Sequence, residues 1–142
     1  MKHFLTPEDE AAVVAAIRDV ETRTSAEIRV CVTYRWVFRI EARAWKVFAR
    51  LGMANTRERN GVLIFMVPHR RRFVVIGDQG ADSRAPTGFW KSVADIMSER
   101  LRTEDKASAI VAGIRMIGEP LAAAWPPHAD NPDELSNDIA RD

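Results

Sequence analysis

A single cysteine, Cys31, is all that the 142-residue chain carries, so it cannot form an intramolecular disulfide. A lone thiol inside an apolar stretch suits a reducing compartment, and it reads as a small buried hydrophobe more readily than as a nucleophile. No apolar run reaches the ~18 residues that a membrane-spanning helix requires. The start, Met1-Lys2-His3-Phe4-Leu5-Thr6-Pro7-Glu8-Asp9, turns acidic at once and has no signal-peptide core. These absences predict a soluble, cytoplasmic protein. Net charge is also lacking: at +1 it argues neither for nucleic acid nor for an acidic-tail binder, and no nucleic-acid partner is expected. His3, His69 and His128 share no ligand spacing, which argues against a histidine zinc site. The chain has no Walker sequence, no Gly-x-Ser-x-Gly elbow and no Cys-x₅-Arg loop. Phosphate chemistry on this chain would need a metal or a bare carboxylate as its agent.

What is present is an ordinary globular composition, 46% apolar and 29% charged, sized for one domain with one core and showing no internal repeat. Thr6-Pro7-Glu8-Asp9 is a helix start, and Val13, Ala16, Ile17 and Val20 recur at helical spacing, which predicts a helix over 7–22. Ile28, Val30 and Val32 alternate with polar neighbours and predict a strand over 27–34. Ala44, Phe48 and Leu51 mark a second helix stopped by Gly52. Val62 to Val67 is a continuous apolar run, too short for a helix, and reads as a strand buried on both faces. Phe73 to Ile76 returns from the polar break Pro68–Arg72 as an antiparallel strand, and the strands at 27–34 and 62–67 should run parallel through their helical crossover. Thr87 caps a third helix, with Phe89, Val93, Ile96, Met97 and Leu101 as its stripe. A fourth helix follows from about Glu104, with a kink or restart at Pro120. The domain is expected over 1–127. Residues 126–142 hold three prolines and five acids with few apolar groups, so 128–142 read as a mostly disordered tail.

The stretch 57–80 carries the most information. Its hairpin lies between Arg57-Glu58-Arg59-Asn60-Gly61 and Gly77-Asp78-Gln79-Gly80, a loop whose glycines can take backbone angles closed to other residues. Joined by Thr24-Ser25-Ala26-Glu27-Ile28-Arg29-Val30, by Phe89-Trp90 and by Gly113-Ile114 to Leu121, it resembles the TPM-domain family over about residues 4–135. The likeness is greatest to the short branch without signal peptide or membrane helix. The resemblance implies a three-layer α/β/α sandwich around a small mixed sheet. It also implies a choice of roles, since members include acid phosphatases, calcium binders and proteins that assist membrane-protein assembly. Gly77, Asp78 and Gly80 match the family loop. Ala81 and Asp82 depart from it, where Ile and then His or Asn are usual, and the N-terminal acidic motifs of the calcium-binding relatives are absent.

Strand directions should bring Glu27, Asn60 and Asp78 to one edge of the sheet. Two carboxylates there, with carbonyls from a glycine-rich turn, are the donors that Ca²⁺ or Mg²⁺ takes. The plainer alternative is an Asp78 that shapes its own turn beside a solvated Glu27. Arg57 and Arg59 flank the same edge and could neutralise a phosphate, and Gly77 and Gly80 leave room for an anion nest; solvated arginines are the alternative. The basic turn His69 to Arg72 lies at the opposite edge and reads as a solvated turn or a contact for acidic headgroups. Trp36 and Phe38, next to arginines, form either an exposed lip for a protein partner or an extension of the first strand. The first functional reading is therefore a binding or assembly module that engages a protein partner, of the membrane-associated-assembly kind, or a divalent ion. The alternative is a weak metal-assisted acid phosphatase acting on phosphomonoesters.

Overall fold

The computed structural model describes residues 4–127 and 136–142. Thr6 starts helix α1 (Pro7–Glu21) with a reciprocal cap. Its hydroxyl accepts from the Asp9 N–H, and the Asp9 carboxylate accepts from the Thr6 N–H, both at 3.0 Å. Val13, Ala16, Ile17 and Val20 form the buried face of α1, as their spacing predicts. Strand β1 (Ile28–Val32) leads to helix α2 (Ile40–Arg50), after which Gly52 adopts φ 77, the left-handed angle that terminates helices and favours glycine. Strand β2 (Val62–Val67) turns through Pro68–Arg70, with Arg71 at φ 51, into strand β3 (Arg72–Gly77). Helices α3 (Gln79–Arg84), α4 (Phe89–Thr103) and α5 (Lys106–Ala124) follow, and strand β4 (Ala140–Arg141) comes last.

The sheet order is β3-β2-β1-β4, with β1 parallel to both β2 and β4 and β3 antiparallel to β2. All six residues of β2 are buried, which fits its continuous apolar run. Val62, Ile64 and Met66 pack with Ile28, Val30 and Val32 against α1, α4 and α5; Leu63, Phe65 and Val67 pack with Cys31 against α2. That is the expected α/β/α sandwich around a mixed sheet. Helix α5 is long and apolar enough to cross a membrane by composition alone, with a mean hydropathy of 1.3. Here it is a core helix, packed between α1 and α4, and Gly113 and Gly118 admit the Met97 and Val20 side chains close to its backbone.

Several expectations need correction. The first strand ends at Val32, and residues 36–39 form a loop rather than a strand extension. The loop at 77–80 contains a helix start, because Asp78 caps α3. Helix α4 is preceded by Gly88 at φ 75 with no side-chain cap, so Thr87 does not take that role. Helix α5 begins two residues later than expected, with Asp105 accepting from the Ser108 N–H at 2.7 Å. It runs through Pro120 without a break; so near the C-terminal end, the missing N–H costs a single helical bond. The tail is corrected in part. Residues 128–135 lie outside the described residues, but 136–142 are ordered onto the sheet, with β4 paired to Cys31 and Val32. Low apolar content misled the reading, because polar contacts dock this segment.

Candidate functional site

The register sets Ile28 beside Val62 and Val62 beside Gly77, so residues flanking those strands meet at one end of the sheet. The Val62 N–H donates to the Glu27 carbonyl at 2.9 Å, and the Asp78 N–H to the Gly61 carbonyl at 2.8 Å. Glu27, Asn60 and Asp78 are thus gathered where strand directions placed them, and all three are buried. At Asp78 the chain itself supplies the partners. Arg59 grips the Asp78 carboxylate with both arms, Nε to Oδ2 at 2.8 Å and Nη2 to Oδ1 at 3.1 Å. Oδ1 also accepts from the Gln79 N–H at 2.7 Å as the cap of α3. The Asp78 hydrogen bond and charge together raise the already high Arg59 pKa.

Both oxygens of Asp78 are therefore committed to holding the turn. Arg59 is committed as well, although half of its side chain is in water, and Arg57 beside it is also exposed. The backbone N–H groups expected to cradle an anion are also taken. Arg59, at φ 53, accepts at its carbonyl from the N–H groups of Gly80 at 2.8 Å and Ala81 at 3.2 Å. Among the described residues, no three His, Cys, Asp or Glu side chains converge as a metal-ligand set. Buried polar groups that make no protein hydrogen bond do occur in this stretch, at Asn60 Nδ2 and the Thr56 hydroxyl.

Gly77 and Gly80 are required for space rather than for unusual backbone angles; neither is among the residues with positive φ. A Cβ on Gly80 would stand 2.3 Å from the Glu58 carbonyl oxygen, and one on Gly77 would stand 2.5 Å from the Trp90 ring. The departures from the family loop have structural uses too. Ala81 is fully buried in the core, and Asp82 accepts a hydrogen bond from the Trp90 indole N–H at 2.9 Å. That bond holds the indole against Gly77.

At the opposite end of the strands, Trp36 and Phe38 are 60% and 81% exposed while Val37 between them is buried. Arg70, from the β2–β3 turn, donates from Nη1 to the carbonyls of Val37 at 2.8 Å and Phe38 at 2.9 Å. Its guanidinium also lies 5.6 Å from the Trp36 ring centroid, and the two aromatic rings meet edge to face at 6.4 Å. Both aromatics therefore lie exposed on an ordered loop, and Arg70 of the basic turn has a structural task.

Sequence reasoning missed Asp142. Its side chain is 2% exposed; Arg43 grips it with two donors, one of them Nε at 2.9 Å, and Arg50 reaches it at 3.3 Å. Burial alone would push this carboxyl up. Hydrogen bonds from Arg43 and Thr33 and the charges of Arg43 and Arg35 outweigh it and hold the pKa below the ordinary carboxylate value. The available signal was Arg43 and Arg50, two turns apart on one helix face and in want of an anion. Nearby, burial first and then the Asp142 charge push the Cys31 thiol up to about 11, which disfavours the nucleophilic thiolate.

The family model for the TPM domain matches residues 1–119. Among solved structures, the chain is similar to the BA42 protein of the psychrophilic bacterium Bizionia argentinensis, at 36% identity over 100% of this chain and 98% of that one, with a TM-score of 0.91. It is also similar in fold to the N-terminal domain of a P. gingivalis protein, at 20% identity over 87% of this chain and 80% of that one, with a TM-score of 0.69. The N-terminal domain of the cg2496 protein from Corynebacterium glutamicum shares the fold at 15% identity, covering 93% of this chain and 84% of that one, with a TM-score of 0.66. No curated protein matches the chain.

Proposed function

Because this chain belongs to the TPM-domain family, whose fold it shares from end to end with BA42, we propose that it acts as a binding module and engages a protein partner through Trp36 and Phe38. One observation carries this reading: two large exposed aromatics are fixed in place by Arg70 and by the buried Val37 beneath them. Aromatics ordered before binding lose little entropy on binding, and Trp is among the residues that dominate interface energetics. Arg35 and Arg39 stand exposed beside the rings. The partner that fits is a protein surface with an apolar recess for two rings and carboxylates around it. A cytoplasmic setting belongs to the same reading.

The ion-binding and phosphomonoesterase readings draw less support, because Asp78 and Arg59 are committed to each other and the cradle N–H groups are bonded within the chain. An enzyme would need preorganised groups left over to meet the charge on a transferring phosphoryl.

A photo-crosslinking amino acid at position 39, introduced in the native host, should capture one dominant protein. Purified, that protein should bind wild type and Ile96→Ala alike, since Ile96 is an exposed apolar residue away from the lip. It should bind Trp36→Ala/Phe38→Ala at least ~30-fold more weakly, the loss of a ~2 kcal/mol hot spot. Equal binding to the double variant would overturn the proposal. So would turnover of p-nitrophenyl phosphate that Asp78→Asn abolishes.

A further inference from the structure

A separate cavity of about 570 Å³ opens where the start of β3 meets the junction of α4 and α5. Its volume is within the range of small-ligand pockets, roughly 300–1,000 Å³. Phe4, Met66, Phe73 and Leu101 give it an apolar floor, and among the described residues no carboxylate lines it. Arg71 and Arg72 stand at its rim, exposed, with no ion pair or hydrogen bond from either side chain among the described residues. The other two cations in its wall are already engaged. Arg102 pairs with Glu99, while the Lys106 ammonium sits 4.7 Å from the Phe4 ring centroid and donates to the Phe4 carbonyl at 3.2 Å.

The loop at Trp36 displays its apolar groups to solvent. This cavity does the reverse, recessing its apolar surface and setting uncompensated positive charge along one side of the opening. Such a site favours a ligand with an apolar body and a single anionic end. A purely ionic ligand would leave the floor in water, and a neutral one would leave the guanidinium groups unused. Guanidinium groups suit planar carboxylates, which they can engage through paired N–H donors.

We propose that this cavity binds a medium-chain fatty acid as a monomer, with its alkyl chain on the Phe4, Met66, Phe73 and Leu101 floor and its carboxylate against Arg71 and Arg72. The recess distinguishes this occupant from a bilayer, which would meet a flat basic face rather than fill a pocket.

The test is calorimetric titration of the full chain with decanoate below its micelle concentration, beside acetate and decanol. Decanoate should bind saturably at one site, with acetate and decanol each at least tenfold weaker. Arg71→Asn/Arg72→Gln should weaken decanoate at least tenfold and leave decanol unchanged; asparagine is chosen at 71 because it tolerates the left-handed backbone there. Ser98→Trp places bulk over the opening from an exposed α4 position and should weaken decanoate and decanol alike. All replaced residues are exposed, so both variants should melt with wild type. Acetate matching decanoate would reduce the site to a charge cluster and overturn the proposal. So would unchanged decanoate affinity in either variant, or binding to phosphatidylglycerol vesicles without binding to monomeric decanoate.

Discussion

Replacing Asp142 with alanine should lower the melting temperature by about 6–8 °C at pH 7. The carboxylate is almost fully buried and accepts two hydrogen bonds from Arg43. Hydrogen bonds to charged groups contribute about 1.5–3 kcal/mol net. Arg50 and Arg35 add little, being 52% and 67% exposed and screened by solvent. Arg43 keeps 31% of its side chain in water, so its removal from the pair does not strand a buried charge. Counted as one bidentate contact with a partly solvated partner, the clamp contributes about 2 kcal/mol, and a domain of this size loses about 3–4 °C for each kcal/mol. The pH dependence gives a second check. The folded Asp142 pKa is lowered, so its contribution is complete above the unfolded carboxylate value of about 3.9 and disappears as pH falls through the folded value. Melts of wild type and Asp142→Ala, followed by circular dichroism from pH 7 to pH 2, should therefore converge in acid. Coincident melts at pH 7 would refute the clamp, and a gap that persists at pH 2 would show that charge is not its source.

Gly80→Ala should cost about 2–3 kcal/mol, because its methyl group would meet two backbone carbonyls that cannot swing aside; a urea midpoint unchanged from wild type would contradict this. Asp78→Ala should cost about 1–2 kcal/mol through the lost α3 cap. Wild type should melt at one temperature in Ca²⁺, Mg²⁺ and chelator, whereas a rise in either ion that Asp78→Ala removes would restore the cation site. Cys31 should resist an aromatic disulfide reagent at pH 8 until the fold opens, given a thiol pKa near 11, and stoichiometric labelling within seconds would show that the α2 face is not closed.

The sheet was legible because its signals are local and redundant. Six consecutive apolar residues at Val62–Val67 require cover on both faces, and the strand order then gathers Glu27, Asn60 and Asp78 without further information. The chemistry of that gathering was not legible. Whether Asp78 meets a cation or a guanidinium depends on Arg59 adopting a left-handed backbone, and arginine gives no local sign of doing so. Gly77 and Gly80 looked like conformational devices, when the deciding factor is how close Trp90 and two carbonyls approach. The two-residue strand β4 escaped notice for a related reason. Ala140 offers little apolar surface, and what holds its segment is a cluster of arginines far back in the sequence.

The placement of β4 beside β1 also fixes an order of events in folding. Arg29 and Asp138, in contact in the native state, are 109 positions apart in the chain, so the outer edge of β1 stays open long after β2 and β3 can have paired. An unpaired edge is a template for intermolecular strand addition, and distant pairings form slowly because a large loop must close first. Arginine on both sides of the seam limits the hazard. Arg29 puts a positive charge within the open strand, and the cations of α2 leave a nascent edge self-repelling until Asp142 arrives to neutralise them.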